Sequence, residues 1–358
     1  GQVSLLELKR LRTTRREEGR FAEVELEESV DNSTASQFLS LGSPPVDRAV
    51  KSFKWLTGAA AQRVAALGDI SHLPDATDEE LENALGRPSP NAVAVYDVGQ
   101  GACQALLVRG EPVLYFDVGG GSDRDSKTLP ATFNGLCLCA DPAIVLSHFH
   151  HDHWALVRRF NALFEQTWVV PRQGDSIGFN NAVLAGLIAS KGTLLVWPDD
   201  VPTRRFGRVT VHRCTGKSRN NSGLALSVGE AGSTILLPGD ARYREIANLP
   251  EEVLSLVAAH HGGVTNAKST EIPQPSRGSA GRLVYSYGPD NSYGHPLTKY
   301  EDDHRSIWGR SDLRTASVAT CSTAADHSGN IHLHWDSRAP DLDGPVCSPR
   351  GAQRPLQR

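Results

Sequence analysis

The sequence predicts a mixed α/β chain in which two β-sheets pack together and helices lie outside. Three observations carry this. Short apolar runs bounded by glycine and proline recur from Asn91 onward, strands outnumber helices, and the helical stretches fall between groups of strands. The 358 residues suffice for one large domain or two smaller ones. With 39% hydrophobic and 22% charged residues, 33 Gly and 21 Pro, the composition is that of a turn-rich globular protein.

Residues 1–90 differ in texture from the rest. Lys9, Arg10, Arg12, Arg15 and Arg16 form a basic run, and an acidic run follows over 17–28. Apolar spacing at Val50, Phe53, Leu56, Ala60, Val64 and Leu67 predicts a helix over 46–67. Asp78, Glu79, Glu80 and Glu82 suit the first turn of another, where carboxylates meet the positive end of the helix dipole. Residues 1–90 are therefore expected to form a mostly helical accessory region, ending in a linker at Arg87-Pro88-Ser89-Pro90. Strands are predicted over 93–98, 102–108, 112–118, 143–147, 193–196, 209–212, 224–228, 234–237, 254–259, 283–287 and 331–335, with helices over 153–164 and 182–190. These define a catalytic-size domain over 91–340. Residues 341–358, rich in Pro, Arg and Asp, are expected to be a loose tail.

Composition also excludes. A net charge of −4 gives no global basic field, so affinity for phosphates must come from local patches or metal. Six cysteines without a C-x-x-C pair argue against a thiolate zinc site and a disulfide framework, which predicts reduced thiols and a cytoplasmic setting. No run of 18 apolar residues occurs, so no membrane-spanning helix and no membrane partner are expected. No signal peptide is visible, and a chain without Met that starts Gly1-Gln2 predicts a processed or tag-derived N-terminus.

The most informative segment is His148-Phe149-His150-His151-Asp152-His153, placed just after the apolar run Ala143-Ile144-Val145-Leu146-Ser147. His148 and His150 can reach one point, and Asp152 and His153 a second point nearby. Imidazole nitrogen and carboxylate oxygen are the ligands a borderline divalent cation prefers. Three further strand ends fit the same site. Asp117, before Gly119-Gly120-Gly121, can orient a ligand histidine from behind. Asp240, after Pro238-Gly239, could bridge two metals. Of His260 and His261, one should be a ligand, with His261 favoured, while the other contacts substrate or supports a ligand. His295, between Gly294 and Pro296, is a candidate phosphate donor or general acid.

Taken together, these motifs resemble the metallo-β-lactamase superfamily. The resemblance implies an αββα sandwich. Val95-Tyr96-Asp97-Val98-Gly99-Gln100-Gly101, His260-His261-Gly262 and Tyr293-Gly294-His295-Pro296 are similar to motifs of the ComEC-type DNA-uptake (competence) hydrolase domains. So are Asn221-Ser222, Arg314-Thr315 and Ser328-Gly329-Asn330-Ile331. The likeness runs over about residues 92–336 and leaves out residues 1–90. Two departures stand out. The membrane channel of ComEC-type proteins is missing, so a role in DNA uptake does not carry over. The superfamily's third-motif histidine has no counterpart, since His212 in that interval reads as a structural strand residue.

The resemblance implies two divalent ions, Zn²⁺ or Mn²⁺, about 3.5–4 Å apart and sharing a hydroxide. His148 and His150 would hold one ion, Asp152 and His153 the other; Asp240 would bridge, and His260 or His261 would complete a shell. Asp152, His260 and His295 are the expected catalytic residues. Asp117, Asp97, Asn221, Arg213, Lys217 and Arg219 are expected around the ligands or at the substrate. Residues 201–229 carry Arg204, Arg205, Arg208, Arg213, Lys217 and Arg219 with no acid before Gly229, which suits a polyanion. The expected activity is that of a stand-alone nuclease or phosphodiesterase, with DNA the favoured substrate and a protein partner on residues 1–90. A small-molecule hydrolase acting on a lactone, thioester or phosphocholine ester is the alternative, with a non-catalytic metal-binding regulator a third reading.

Overall fold

In a computed structural model the described residues are 21–28, 34–37, 46–56, 70–86, 89–121, 123–173, 177–230, 232–265, 269–276, 281–309, 316–319 and 329–335. They fall into two compact units. One takes its described residues from 1–72 and 175–185, the other from 73–174 and 186–358. Expectations for residues 1–20, the linker's Arg87-Pro88, and the 341–358 tail lie outside the described residues.

The first unit contains a three-stranded antiparallel sheet of β1 (Phe21–Glu28), β2 (Thr34–Gln37) and β3 (Val46–Leu56), in the order β1-β3-β2. This corrects the expected helix over 46–67 and the mostly helical accessory region; residues 57–69 lie outside the described residues. The error has a physical source. Opposite β1 the register jumps from Ser52 to Val50, leaving Lys51 as an extra residue. Val50 and Phe53, three apart in sequence, therefore sit opposite Leu26 and Val24, two apart on β1, and a three-residue step imitates helical spacing.

The second unit holds two seven-stranded sheets. The first comprises β4 (Ala92–Val95), β5 (Cys103–Val108), β6 (Glu111–Val118), β7 (Ala143–Val145), β8 (Thr167–Pro171) and β9 (Thr193–Trp197), with a late strand, β19, on its edge. The second is built from β10 (Thr203–Phe206), β11 (Val209–Arg213), β12 (Leu224–Glu230), β13 (Ser233–Leu237), β15 (Ser255–Val257), β17 (Arg282–Tyr285) and β18 (Ala316–Ala319). Two short strands, β14 (Glu252–Val253) and β16 (Gln274–Pro275), pair with each other, and β19 spans Ile331–His334. Each large sheet changes from antiparallel to parallel midway: β6 to β9 run parallel, and so do β13, β15, β17 and β18.

Side-chain alternation makes these sheets a sandwich. Phe116, Val145 and Val169 of the first sheet meet Leu226, Leu237, Val257 and Val284 of the second in one buried apolar cluster. Their neighbours point outward. On the second sheet, Leu236, Leu256, Leu283 and Tyr285 pack with Trp308 of a helix over Thr298–Trp308. On the first sheet, Trp168 donates its indole N–H to Leu163 O at 2.8 Å, from a 3₁₀ turn over Asn161–Glu165. The expected helix over 153–164 is corrected to two 3₁₀ turns, Ala155–Arg158 and Asn161–Glu165. Ala155, Leu156 and Val157 are consecutive and all buried. A one-sided helix cannot bury three residues in a row.

The α-helices among the described residues are thus α1 (Asp78–Leu85), α2 (Phe179–Lys191) and α3 (Thr298–Trp308). α1 begins as its carboxylates predict. Thr77 Oγ1 accepts from Glu80 N at 3.2 Å, and Glu80 Oε2 accepts from Thr77 N at 2.7 Å, a reciprocal cap. No helix among the described residues is long and apolar enough to cross a membrane.

Candidate metal centre

The C-terminal ends of the parallel strands in both sheets meet at one edge of the sandwich. β6 delivers Asp117, β7 runs into Ser147 and His148, β13 into Gly239 and Asp240, and β15 into His260 and His261. Ser147 is where the sheets touch. Its carbonyl accepts from Leu224 N at 2.7 Å. A Cβ on Gly223 would overlap that same carbonyl, and one on Gly239 (φ +58°) would stand 2.8 Å from Ser147 Cβ. The two glycines let the second sheet approach the first this closely.

Asp240 lies at the centre. Its Oδ1 is 3.1 Å from His153 Nε2 and 3.7 Å from His261 Nε2. Its Oδ2 is 3.5 Å from His148 Nε2 and 3.5 Å from His260 Nε2. One carboxylate therefore faces two imidazole pairs, one through each oxygen. On the Oδ2 side, His150 Nδ1 lies 3.0 Å from His148 Nε2. On the Oδ1 side, Asp152 Oδ2 lies 3.5 Å from His261 Nε2. Two groups of ligand atoms lie close enough to hold an ion each: His148, His153 and Asp240, and Asp152, His153 and His261. His153 is common to both.

The residues fit divalent cations. His153 Nε2, Asp240 Oδ1 and His261 Nε2 are buried and have no hydrogen-bond partner, a costly arrangement unless something else satisfies them. Two nitrogens bound tetrahedrally at about 2.0–2.1 Å stand roughly 3.4 Å apart, close to the separations here.

The ring nitrogens not aimed at Asp240 are anchored. Asp117 Oδ2 accepts from His153 Nδ1 at 2.7 Å and from Ser147 Oγ at 2.7 Å, while its Oδ1 accepts from Ser147 N at 2.7 Å. Asp117 thus stands behind His153, on the side of the ring away from Asp240. His261 Nδ1 donates to Ser286 O at 2.7 Å, and His260 Nδ1 to Val264 O at 3.1 Å. Each leaves an Nε2 facing inward. His260 and His261 both adopt left-handed backbone (φ +54° and +56°), which splays consecutive side chains toward the same carboxylate.

Electrostatics follow the geometry. Burial works against charge on His153, yet the carboxylates of Asp240, Asp117 and Asp152 outweigh it and raise His153 well above the ordinary imidazole value. Burial opposes ionisation of Asp240 too, but His153, His260 and His148 hold its carboxyl well below the usual range. Burial and the His153 charge push His148 well below its ordinary value. Carboxylates that draw a proton into a buried imidazole cluster draw a cation there for the same reason.

A pocket of about 280 Å³ opens onto the cluster, lined by His150, Asp152, Asn220, Asp240, His260 and His295, with His151 and Tyr293 at its wall. His295 stacks near-parallel to Tyr293 and His261, with centroids 5.5 and 6.0 Å away. Burial, with the charges of His261 and His260, brings His295 down to about 4.

Other expected site residues sit elsewhere. Asp97 lines a separate cleft with Tyr96, Phe133 and Asn330. Asn221 Oδ1 accepts from Arg242 N at 2.9 Å and so holds the loop after Asp240, while the adjacent Asn220 lies 3.4 Å from His260 Nε2. Arg204 pairs with Asp78, Arg205 with Glu230 at 2.5 Å, and Arg213 with Asp199 at 2.7 Å, so acids from other segments neutralise much of the basic stretch. Arg219 stays half-buried near His150, whose imidazole is lowered chiefly by burial, with smaller contributions from the charges of His153 and Arg219. His212 donates to Ala247 O at 2.8 Å and accepts from Ser227 Oγ at 2.7 Å, as a structural strand histidine does. Sequence reasoning missed Ser147, Asn220 and Ser286; of these Ser147 alone carried a signal, as the residue before His148.

No protein-family model matches the chain, and no curated protein matches it. Among solved structures it is similar to the metallo-β-lactamase fold protein YhfI from Bacillus subtilis, at 10% identity over 67% of this chain and 98% of that one, with a TM-score of 0.40. It is also similar to Zn(2+)-bound PqqB from Methylobacterium extorquens, at 11% identity over 67% and 99%, TM-score 0.37. A putative metallo-β-lactamase from Thermotoga maritima aligns at 17% identity over 42% and 79%, TM-score 0.30. The chemistry of the site rests on its own geometry.

Proposed function

We propose that this chain is a metal-dependent hydrolase that cleaves phosphodiesters with two divalent cations, Zn²⁺ or Mn²⁺. One observation carries the proposal: each oxygen of the buried Asp240 carboxylate faces its own pair of imidazoles. His148, His150 and His260 would hold a cation on the Oδ2 side, and His153, Asp152 and His261 one on the Oδ1 side. When bound, such ions supply Lewis acidity and a nucleophile from water at neutral pH.

The chain's own residues do the remainder. Asp117 and Ser147 fix His153, and Ser286 fixes His261, so the inward nitrogens need no reorganisation. His295, in the pocket wall, meets the substrate. Arg219 at the His150 side favours an anion. The motif resemblance to ComEC-type domains supports a phosphodiester, with DNA the preferred polymer. The ion pairs at Arg204, Arg205 and Arg213 favour a second reading, a small phosphodiester, because they leave little basic track for a long strand.

The test is hydrolysis of single- and double-stranded DNA, RNA and bis(p-nitrophenyl) phosphate with Mn²⁺ or Zn²⁺. Asp240→Asn and His153→Ala should lower turnover by at least a hundredfold. Hydrolysis of lactones or thioesters alone would sink the phosphodiester reading, and unchanged turnover in Asp240→Asn would sink the two-cation site.

A further inference from the structure

The Asp97-Val98-Gly99-Gln100-Gly101 segment supplies no candidate ligand, yet Gly101 O accepts from Ser286 Oγ at 3.0 Å and its glutamine reaches the site. Gln100 is fully buried. Its backbone N–H donates to Thr128 Oγ1 at 2.8 Å, and its amide lies between two groups. On one side Gly288 N–H points at Gln100 Oε1 (3.4 Å); on the other Gln100 Nε2 lies 3.4 Å from His295 Nδ1. A Cβ on Gly288 would stand 2.5 Å from Gln100 N and 2.6 Å from Thr128 Cβ, so the glycine is what lets these segments close on the amide.

The backbone donor settles which way the amide points. Gly288 N–H can only donate, so the amide oxygen must face it and the NH₂ must face His295. His295 Nδ1 is then required to accept. A proton on Nδ1 would set donor against donor in a buried place, which disfavours that tautomer by on the order of tenfold or more. With the ring neutral, the proton sits on Nε2. That nitrogen has no hydrogen-bond partner among the described residues and lies over Gly263, where a Cβ would collide with it.

We infer that Gln100 is a positioning residue that locks His295 in its Nε2–H tautomer, making His295 a hydrogen-bond donor to a substrate oxygen in the pocket and not a general base. The pocket-facing role of His295 rests on the function proposed above; the tautomer does not. Gln100 and His295 are 195 positions apart, in loops that follow β4 of the first sheet and β17 of the second, so the contact exists only in the closed sandwich.

The experiment is a long-range ¹H–¹⁵N correlation spectrum of histidine-labelled protein exchanged into diamagnetic Zn²⁺ at pH 7, with His295→Asn assigning the ring. The expected His295 pattern has a protonated Nε2 and a bare Nδ1. In Gln100→Glu the carboxylate accepts, so the proton should move to Nδ1 or the ring should become an imidazolium. The same variant should lower kcat for bis(p-nitrophenyl) phosphate at least tenfold with KM within threefold. A wild-type Nδ1–H or imidazolium pattern overturns the inference without any variant, as does an unchanged His295 pattern in folded Gln100→Glu. If the wild type shows the expected tautomer but hydrolyses no phosphodiester, the function fails and the tautomer stands.

Discussion

Asp117 touches no candidate cation position, yet three polar groups depend on it: His153 Nδ1, Ser147 N and Ser147 Oγ. Burial keeps its carboxyl above the usual carboxylate range, although the His153 charge and these donors oppose the shift. Removing its charge leaves His153 free to turn and less basic. Asp117→Asn should therefore weaken divalent-cation affinity about 10–100-fold, measured by competition with a chromophoric chelator; unchanged affinity would mean His153 is oriented by packing alone. Asp117 was legible in the sequence because a carboxylate at a strand end beside glycines is a local pattern. Ser147 was not. A serine hydroxyl that links Asp117 to His148 and His153 is defined by its neighbours across the sheet, and one sequence does not show them. The basic stretch was visible in sequence but its pairing was not: Asp199 and Glu230 flank it directly and Asp78 comes from α1, and only the fold shows that they pair with Arg213, Arg205 and Arg204.

The turn carrying His260 and His261 is held from behind by a helix. Tyr243 O–H donates to His304 Nε2 at 2.7 Å and accepts from Ala259 N at 3.3 Å, while His304 Nδ1 donates to Tyr300 O at 2.8 Å. α3 thereby fixes the residue just before two left-handed histidines, each of which costs about 1–2 kcal/mol to hold in that conformation. Burial lowers His304 from 6.5 to about 4. The unfolded chain thus takes up this proton first as the pH falls. The stabilising effect of neutral His304 is complete above about pH 6.5 and is lost on descending toward pH 4, at about 1.4 kcal/mol per pH unit and about 3 kcal/mol in all. Urea unfolding of wild type and His304→Gln from pH 4 to 7 checks this: the wild-type curve should be steeper, and parallel curves would show that His304 titrates normally. Element boundaries followed the same rule of legibility. Strands that are short, apolar and bounded by glycine, such as β12 and β13, were readable. β3 was not, because its bulge depends on β1, and the 153–164 turns were not, because three successive buried residues answer to the first sheet.

At the scale of the molecule, the sandwich was legible from strand number and spacing, and the pairing within it was not. Nothing local announces that β6, β7, β8 and β9 run parallel while β4, β5 and β6 alternate, or that the second sheet repeats this change at β13. That shared switch brings four parallel strand ends, two from each sheet, to one edge, and the site is where they meet. The N-terminal sheet falls in the other unit, where β1 and β3 pair antiparallel.

The split of Asp240 between two imidazole pairs reaches beyond chemistry. His148, His150, Asp152 and His153 hang from the first sheet, and Asp240, His260 and His261 from the second. Any cation bound between them is a crosslink, in effect a staple through the open edge of the sandwich. Its binding energy adds to the cohesion of the whole domain, by about 2.7 kcal/mol for each site filled at a hundred times its Kd. Thermal melts with excess Zn²⁺ and with a chelator should therefore differ by several degrees in a single cooperative transition. A chelator that abolished turnover and left Tm unmoved would show that the cations pull on one sheet only.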